Sequence, residues 1–191
     1  MNDAGARAIV IGASAGAIQA LSEILPALPA DFALPILVVV HVPADRSNIL
    51  APLFKKKCRM AVCEAEDKEP ALGGVIYFAP SGYHLLVEAE ETLSLSSDEE
   101  VLYSRPSIDV LFESAADAYG PAAIGIILTG ANSDGAKGLR AIASAGGTAL
   151  VQDPSNAYAN AMPRAALAEC ASARAMSLAE IVNFLMKESE K

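Results

Sequence analysis

The chain contains no tryptophan, only two histidines and only three cysteines in 191 residues. Aromatic residues make up 5% of it against 53% hydrophobic residues in all, so its core must be built mostly from Ala, Ile, Leu and Val. Abundant alanine suits helices packed closely on a sheet. Cys58, Cys63 and Cys170 are odd in number and match no metal or redox spacing, which favours small buried hydrophobes over ligands. His41 and His84 form neither an HxxxH nor an HExxH pair, which argues against a zinc site. No ligand cluster calls for a metal or another cofactor.

Positive charge is also scarce. Lys and Arg number 14 against 23 Asp and Glu, for a formal net charge of −9. Such a chain repels nucleic acid, whose recognition rewards clustered Lys and Arg. The one basic cluster, Lys55-Lys56-Lys57-Cys58-Arg59, is short and reads as a helix C-terminus favoured by the dipole. A partner-docking patch is the weaker alternative. Long apolar runs are missing as well. The longest, Phe32 to Val40, is interrupted by Pro35 and too short to span a bilayer, and the opening MNDAGARAIVIGAS lacks the form of a signal peptide. The expectation is a cytoplasmic protein without direct membrane insertion, built as one domain over residues 1–191.

Apolar segments alternate with helical patterns. Strands are predicted at Arg7–Ile11, Pro35–Val40, Met60–Glu64, Ala123–Leu128 and Thr148–Val151. Helices are predicted at Ala15–Leu28, from a Ser47 cap through Lys57, from a Ser107 cap through Tyr119, at Gly135–Ala145 and at Met162–Ala168. Gly146-Gly147 reads as a C-cap, and Ser177-Leu178-Ala179-Glu180 has the form of a capping box opening a last helix to about Lys187. Gly74–Ala79, Tyr83–Glu88 and Thr92–Ser96 read together as a small antiparallel excursion. The fold class is therefore α/β: a doubly wound, mostly parallel sheet with helices on both faces and a small antiparallel hairpin insertion.

Ligands of open α/β sheets gather beyond the C-terminal ends of the strands. Three such ends carry unusual residues. Gly12-Ala13-Ser14-Ala15-Gly16 is a G-x-S-x-G turn between a strand and a helix, the setting of a nucleophile elbow. By itself it also fits a phosphate or dinucleotide loop, or Ser14 as a helix cap. The dinucleotide alternative is weakened because strand two ends in His41 rather than an acid. That His41 is either a satisfied core residue or, if the first two strands are neighbours, a base beside Ser14. Asp134, in Thr129-Gly130-Ala131-Asn132-Ser133-Asp134-Gly135-Ala136-Lys137-Gly138, either caps the next helix or orients the histidine. The three make a Ser–His–Asp set in an order unlike those of the α/β-hydrolases, chymotrypsin and subtilisin; triads are defined by geometry, not order.

The segments IGASAGAIQAL, VVVHVP, APSGYHLLVE, YSRPSIDVLFESAA, GIILTGANSDGAKG and QDPSNAYANAMPRAAL resemble, in the same order, the catalytic domain of the chemotaxis protein-glutamate methylesterase family. The resemblance implies a cofactor-free serine hydrolase that removes methyl groups from methylated glutamates on chemoreceptor cytoplasmic helices, releasing methanol, and in some members deamidates receptor glutamines. It implies Ser14 as nucleophile, His41 as base and Asp134 as orienting acid. Backbone N–H groups near Ala15 and Ala131 are the oxyanion-hole candidates. His84, Arg105, Met162 and Arg164 are substrate-proximal candidates, each with a structural alternative. Other chemosensory proteins are further candidate partners. Family members commonly carry a receiver domain ahead of the esterase domain; this chain is expected to stand without one. It departs from the family's G-A-S-T-G-G turn at Ala15 and Ala17, and from its L-T-G-M-G-x-D-G loop at Ala131 and Asn132. These departures keep open an esterase or amidase with another substrate, and a non-catalytic chemosensory binding domain.

Overall fold

The structure is a computed structural model, and it describes residues 6–41 and 49–189. The elements run β1 (Ala8–Ala13), α1 (Ala17–Ile24), β2 (Ile36–Val40), α2 (Leu50–Lys55), β3 (Ala61–Glu64), β4 (Val75–Phe78), β5 (His84–Val87), β6 (Leu93–Ser96), α3 (Ile108–Tyr119), β7 (Ala123–Ile127), α4 (Ala136–Ser144), β8 (Thr148–Gln152), α5 (Ala161–Glu169), β9 (Arg174–Met176) and α6 (Leu178–Ser189). Seven strands form one sheet in the order β3-β4-β2-β1-β7-β8-β9. All of its neighbours are parallel. β5 and β6 pair separately as an antiparallel hairpin.

The central strands are apolar throughout because both faces of the sheet are covered. Every residue of β1, β2 and β7 is buried. Alternation along β1 divides the core: Ile9 and Ile11 face α1, α2 and α6, where Leu21, Ile24, Phe54, Ile181 and Leu185 pack. Ala8 and Val10 face α3, α4, α5 and the hairpin, with Leu111, Phe112, Leu139, Ile142 and Ala166. The chain leaves β1 toward β2 on one side and later reaches β7 on the other. That reversal opens a crevice at the C-terminal ends of β1, β2 and β7, the topological switch point of such sheets.

Several local expectations match. Gly146, at φ 88°, ends α4, and the Gly147 N–H returns to the Ile142 carbonyl at 2.9 Å. The capping box is reciprocal: Glu180 N–H donates to Ser177 Oγ at 3.2 Å and Ser177 N–H to Glu180 Oε2 at 2.7 Å. The segment around Gly74–Ala79 is a correction. Its strand, β4, lies inside the parallel sheet between β3 and β2, not in the antiparallel excursion. Ile76, Tyr77 and Phe78 are all buried, as an interior parallel strand requires. Edge strand β9 was not foreseen; it has three residues, two of them exposed, and no apolar pattern to announce it. α1 is shorter than predicted because Leu25–Ala27, which contains Pro26, tightens into a 3₁₀ turn. The proposed Ser47 cap lies outside the described residues.

Candidate active site

β1 delivers Ser14 into a turn whose shape depends on glycine. Gly16 has φ 84°, and a Cβ there would lie 2.7 Å from Tyr158 Cβ. Gly12 lets Ile108 close over β1: an added Cβ would sit 2.3 Å from Ile108 Cγ2. The Ser14 N–H donates to the Thr129 carbonyl at 2.9 Å, tying the turn to the loop after β7. Ser14 is not the cap of α1. Gly16 holds that position with no side-chain bond, and it is the Ser14 carbonyl that accepts the Ala17 N–H, at 2.9 Å.

His41 follows β2 directly. In the β1–β2 register Ala13 stands opposite Val40, and the His41 N–H donates to the Ala13 carbonyl at 3.1 Å. Ser14 and His41 are therefore the next residues along two adjacent parallel strands. Ala13 and Val40 both pack into the α1 side of the core. The His41 side chain turns to the α3 side, where the acid stands.

Asp134 is fully buried, and His41 Nε2 lies 2.7 Å from its Oδ2. It does not cap the helix that follows it, whose cap is Gly135 at φ 97° with no side-chain bond. It caps α3 instead, from outside the helix. Its Oδ1 accepts the Ser107 hydroxyl at 2.8 Å and the Asp109 N–H at 2.9 Å; its Oδ2 accepts the Ile108 N–H at 2.7 Å. Burial works to raise the pKa of Asp134. The bonds from His41, Asp109 and Ile108 outweigh it and hold the carboxyl below the usual range. The acid is thus an anion fixed at a helix N-terminus, with one oxygen shared with the imidazole.

A second buried carboxylate supports the first. Asp109 Oδ1 accepts the N–H groups of Gly135 at 3.0 Å and Gly138 at 2.7 Å, fastening α3 to the loop that carries Asp134. Burial pushes the Asp109 carboxyl up; the Gly138 N–H counters this, and the Asp134 charge adds to the rise. Gly138 makes the approach possible, since a Cβ there would lie 2.5 Å from Phe112 Cβ. Neither Ser107 nor Asp109 was singled out as a site residue from the sequence.

Asn132, one of the departures in the loop, also reaches the histidine. Its Nδ2 lies 3.3 Å from His41 Nδ1, while its Oδ1 accepts the Asp134 N–H at 3.1 Å. Ala15 is half-buried beside Ser14, and Ala131 is exposed beside Asn132. Thr129 binds the two loops together: its hydroxyl donates to the Ala15 carbonyl at 2.8 Å and accepts the Ala159 N–H at 2.9 Å. Its own N–H is met by buried Gln152 at 2.9 Å. An open groove lined by Gly16, Thr129, Gln152, Asn156 and Tyr158 borders this turn.

The remaining candidates are spread out. His84 is buried behind the acid, where its Nδ1 accepts the Ser107 N–H at 3.1 Å and its Nε2 bonds the Glu99 carbonyl at 2.9 Å. Arg105 Nη1 donates to the carbonyls of Ser97 and Asp98 at 3.1 and 2.8 Å, clasping the segment that leaves the hairpin. Met162 is buried against Gly130, and its N–H donates to the Gly130 carbonyl at 3.0 Å. Arg164 lies exposed on α5. Among the described residues no group of His, Cys, Asp and Glu could hold a metal ion, and no helix is long and apolar enough to cross a membrane.

A doubly wound parallel sheet with serine, histidine and aspartate at three neighbouring strand ends is the class of domain these observations define. Comparison with known proteins narrows it, for the family model of CheB methylesterases matches residues 9–185 and the chain belongs to that family. A Leptospira interrogans protein provisionally named protein-glutamate methylesterase/protein-glutamine glutaminase is 47% identical over 180 residues, which are 94% of this chain and 93% of that protein. A Bordetella parapertussis protein-glutamate methylesterase/protein-glutamine glutaminase is 41% identical over 177 residues; the match takes in 91% of this chain but 50% of that protein. The crystal structure of the Thermotoga maritima CheB methylesterase catalytic domain superposes with a TM-score of 0.89 at 30% identity, covering 95% of this chain and 98% of that one.

Proposed function

We propose that this chain is a protein-glutamate methylesterase of bacterial chemotaxis, demethylating glutamyl methyl esters on the cytoplasmic helices of chemoreceptors and deamidating receptor glutamines. The observation that carries this assignment is the pairing of His41 with buried, helix-capping Asp134 one strand away from Ser14, in a chain of the CheB methylesterase family. The described residues form one catalytic domain acting in the cytoplasm, where those receptor helices lie.

The chemistry follows from the polarity of the site. Nε2–H of His41 donates to the Asp134 anion, so the ring's lone pair is at Nδ1. Nδ1 takes the Ser14 proton as Oγ attacks the ester carbonyl. The N–H groups of Ala15 and Ala131 receive the oxyanion. The imidazolium formed is stabilised by Asp134 and gives its proton to the departing methanol. Water, deprotonated by Nδ1, then attacks the Ser14 ester, releasing glutamate and restoring the serine. With glutamine the same steps expel ammonia. A panel comparing a methylated chemoreceptor cytoplasmic domain with small acyl esters tests the substrate. Methanol release from the receptor with a kcat/KM far above that of the small esters is expected; turnover of small esters alone would overturn the assignment of substrate.

A further inference from the structure

We infer that Asn132 is a positioning residue for the histidine, donating a hydrogen bond to His41 Nδ1 that holds the resting ring in the tautomer with its proton at Nε2 and its lone pair at Nδ1. This rests on the assignment of His41 as the base. An asparagine amide has an oxygen and a nitrogen that can exchange places, and its role depends on which faces the ring. Here the neighbours decide. The buried loop N–H of Asp134 needs an acceptor, and Asn132 Oδ1 supplies it at 3.1 Å. The other arm is therefore the NH2, and it lies 3.3 Å from His41 Nδ1. A donor at that distance is satisfied only by an imidazole nitrogen carrying a lone pair. At the opposite nitrogen the Asp134 anion accepts a proton from Nε2 at 2.7 Å. Both ring nitrogens are thus specified from outside: proton at Nε2, lone pair at Nδ1. Asn132 is half-buried at the mouth of the site, so its amide can yield to the Ser14 hydroxyl when substrate closes over them.

The two arms of Asn132 can be altered together or one at a time. Asn132→Asp keeps the oxygen that accepts the Asp134 N–H but places a carboxylate opposite Nδ1. It draws a proton onto Nδ1 and abolishes the lone pair. Asn132→Ala removes both arms and leaves the ring to Asp134 alone. The expected order of kcat is wild type, then Asn132→Ala lower by about 3- to 10-fold, the size of one neutral hydrogen bond. Asn132→Asp follows, lower by at least about 100-fold, since the base is occupied. The carboxylate protonates the ring whatever the amide does in wild type, so the role is separated from loop support by the ring signal of Asn132→Ala. Its Nδ1 resonance is expected to move to that of a nitrogen with no hydrogen bond, and a resonance unchanged from wild type would overturn the inference.

The second readout needs no substrate. Nitrogen NMR of the imidazole rings, of which the chain has two, reports the proton at each nitrogen, with His41 assigned by loss of its signals in His41→Gln. At pH 7.5 wild type is expected to show an unprotonated, hydrogen-bonded Nδ1 and a protonated Nε2, and Asn132→Asp a protonated Nδ1. A protonated Nδ1 in wild type, or an unchanged ring in Asn132→Asp, overturns the inference. If wild type failed to release methanol from receptor, the substrate assignment would fall while the ring signals still decided the role of Asn132.

Discussion

Asp134→Asn is nearly isosteric, yet the structure gives it no comfortable orientation. The wild-type carboxylate accepts four hydrogen bonds, from His41 and Ile108 at Oδ2 and from Ser107 and Asp109 at Oδ1. The amide offers one oxygen. If that oxygen replaces Oδ1, the NH2 faces the Ile108 N–H and His41 Nε2. Ile108 then loses its acceptor, and the ring must turn a lone pair toward the amide, which sends its proton to Nδ1 and removes the base. If the oxygen replaces Oδ2, the Ser107 hydroxyl can rotate to accept, but the Asp109 N–H is left unpartnered. Either way one buried N–H is orphaned, which costs about 1–3 kcal/mol. The charge that steadies the imidazolium is lost in both. A triad whose aspartate becomes asparagine loses about 10,000-fold in kcat through the wrong tautomer, and a loss of that order is expected here. Stability is checked by urea unfolding, activity by ester hydrolysis at limiting and saturating substrate. A folded Asp134→Asn protein retaining more than about a tenth of wild-type kcat would refute this account of the acid.

Other perturbations test the surrounding structure. Gly138→Ala gains about 1 kcal/mol of helix propensity, but its Cβ meets Phe112 Cβ at 2.5 Å and Asp109 Cα at 3.1 Å, neither of them a flexible tip. Overpacking of about 1–3 kcal/mol is expected to prevail, lowering both melting temperature and activity. The two buried carboxylates act oppositely with pH. Asp134, with its folded pKa lowered, adds stability that is present above the ordinary aspartate value and is lost as pH falls through the folded one. Asp109, with its folded pKa raised, adds stability present below the ordinary value and lost as pH rises through the raised one. Asp109→Asn keeps an oxygen for Gly135 and Gly138 and is expected to abolish that decline in urea titrations run from pH 3 to 7. Burial pushes the thiols of Cys58 and Cys63 up to about 11. At pH 8 both are expected to react with a disulfide reagent far more slowly than in denatured protein.

The positions of Ser14, His41 and Asp134 were legible because each stands where an apolar strand gives way to a turn rich in glycine or polar residues. The parallel sheet was legible for the same reason, its central strands lacking polar alternation. Helix capping was harder. Ser14 and Asp134 each precede a helix, and a local rule makes them caps of it; the structure puts Gly16 and Gly135 there, at positive φ. The acid caps α3, whose first residue is 26 positions away, a contact no local pattern encodes. Ser107 and Asp109 escaped notice as parts of the site because that same distant contact gives them their roles. β4 was misplaced because a short apolar run between two glycine-bearing turns fits a hairpin as well as an interior strand. Whether Asn132 is merely tolerated in place of glycine or acts on the ring depends on the direction of an amide, which only the neighbouring Asp134 N–H fixes.

The central claim is that Ser14 performs acyl transfer on receptor glutamyl methyl esters. It is tested most directly by methanol release from a methylated chemoreceptor cytoplasmic domain, with wild type and Ser14→Ala run side by side. Ser14 is half-buried in a turn held by backbone bonds, so the alanine variant is expected to fold as wild type does. Release by wild type and none above background by Ser14→Ala is the predicted result. Equal release by both, or none from a folded wild type, would contradict it.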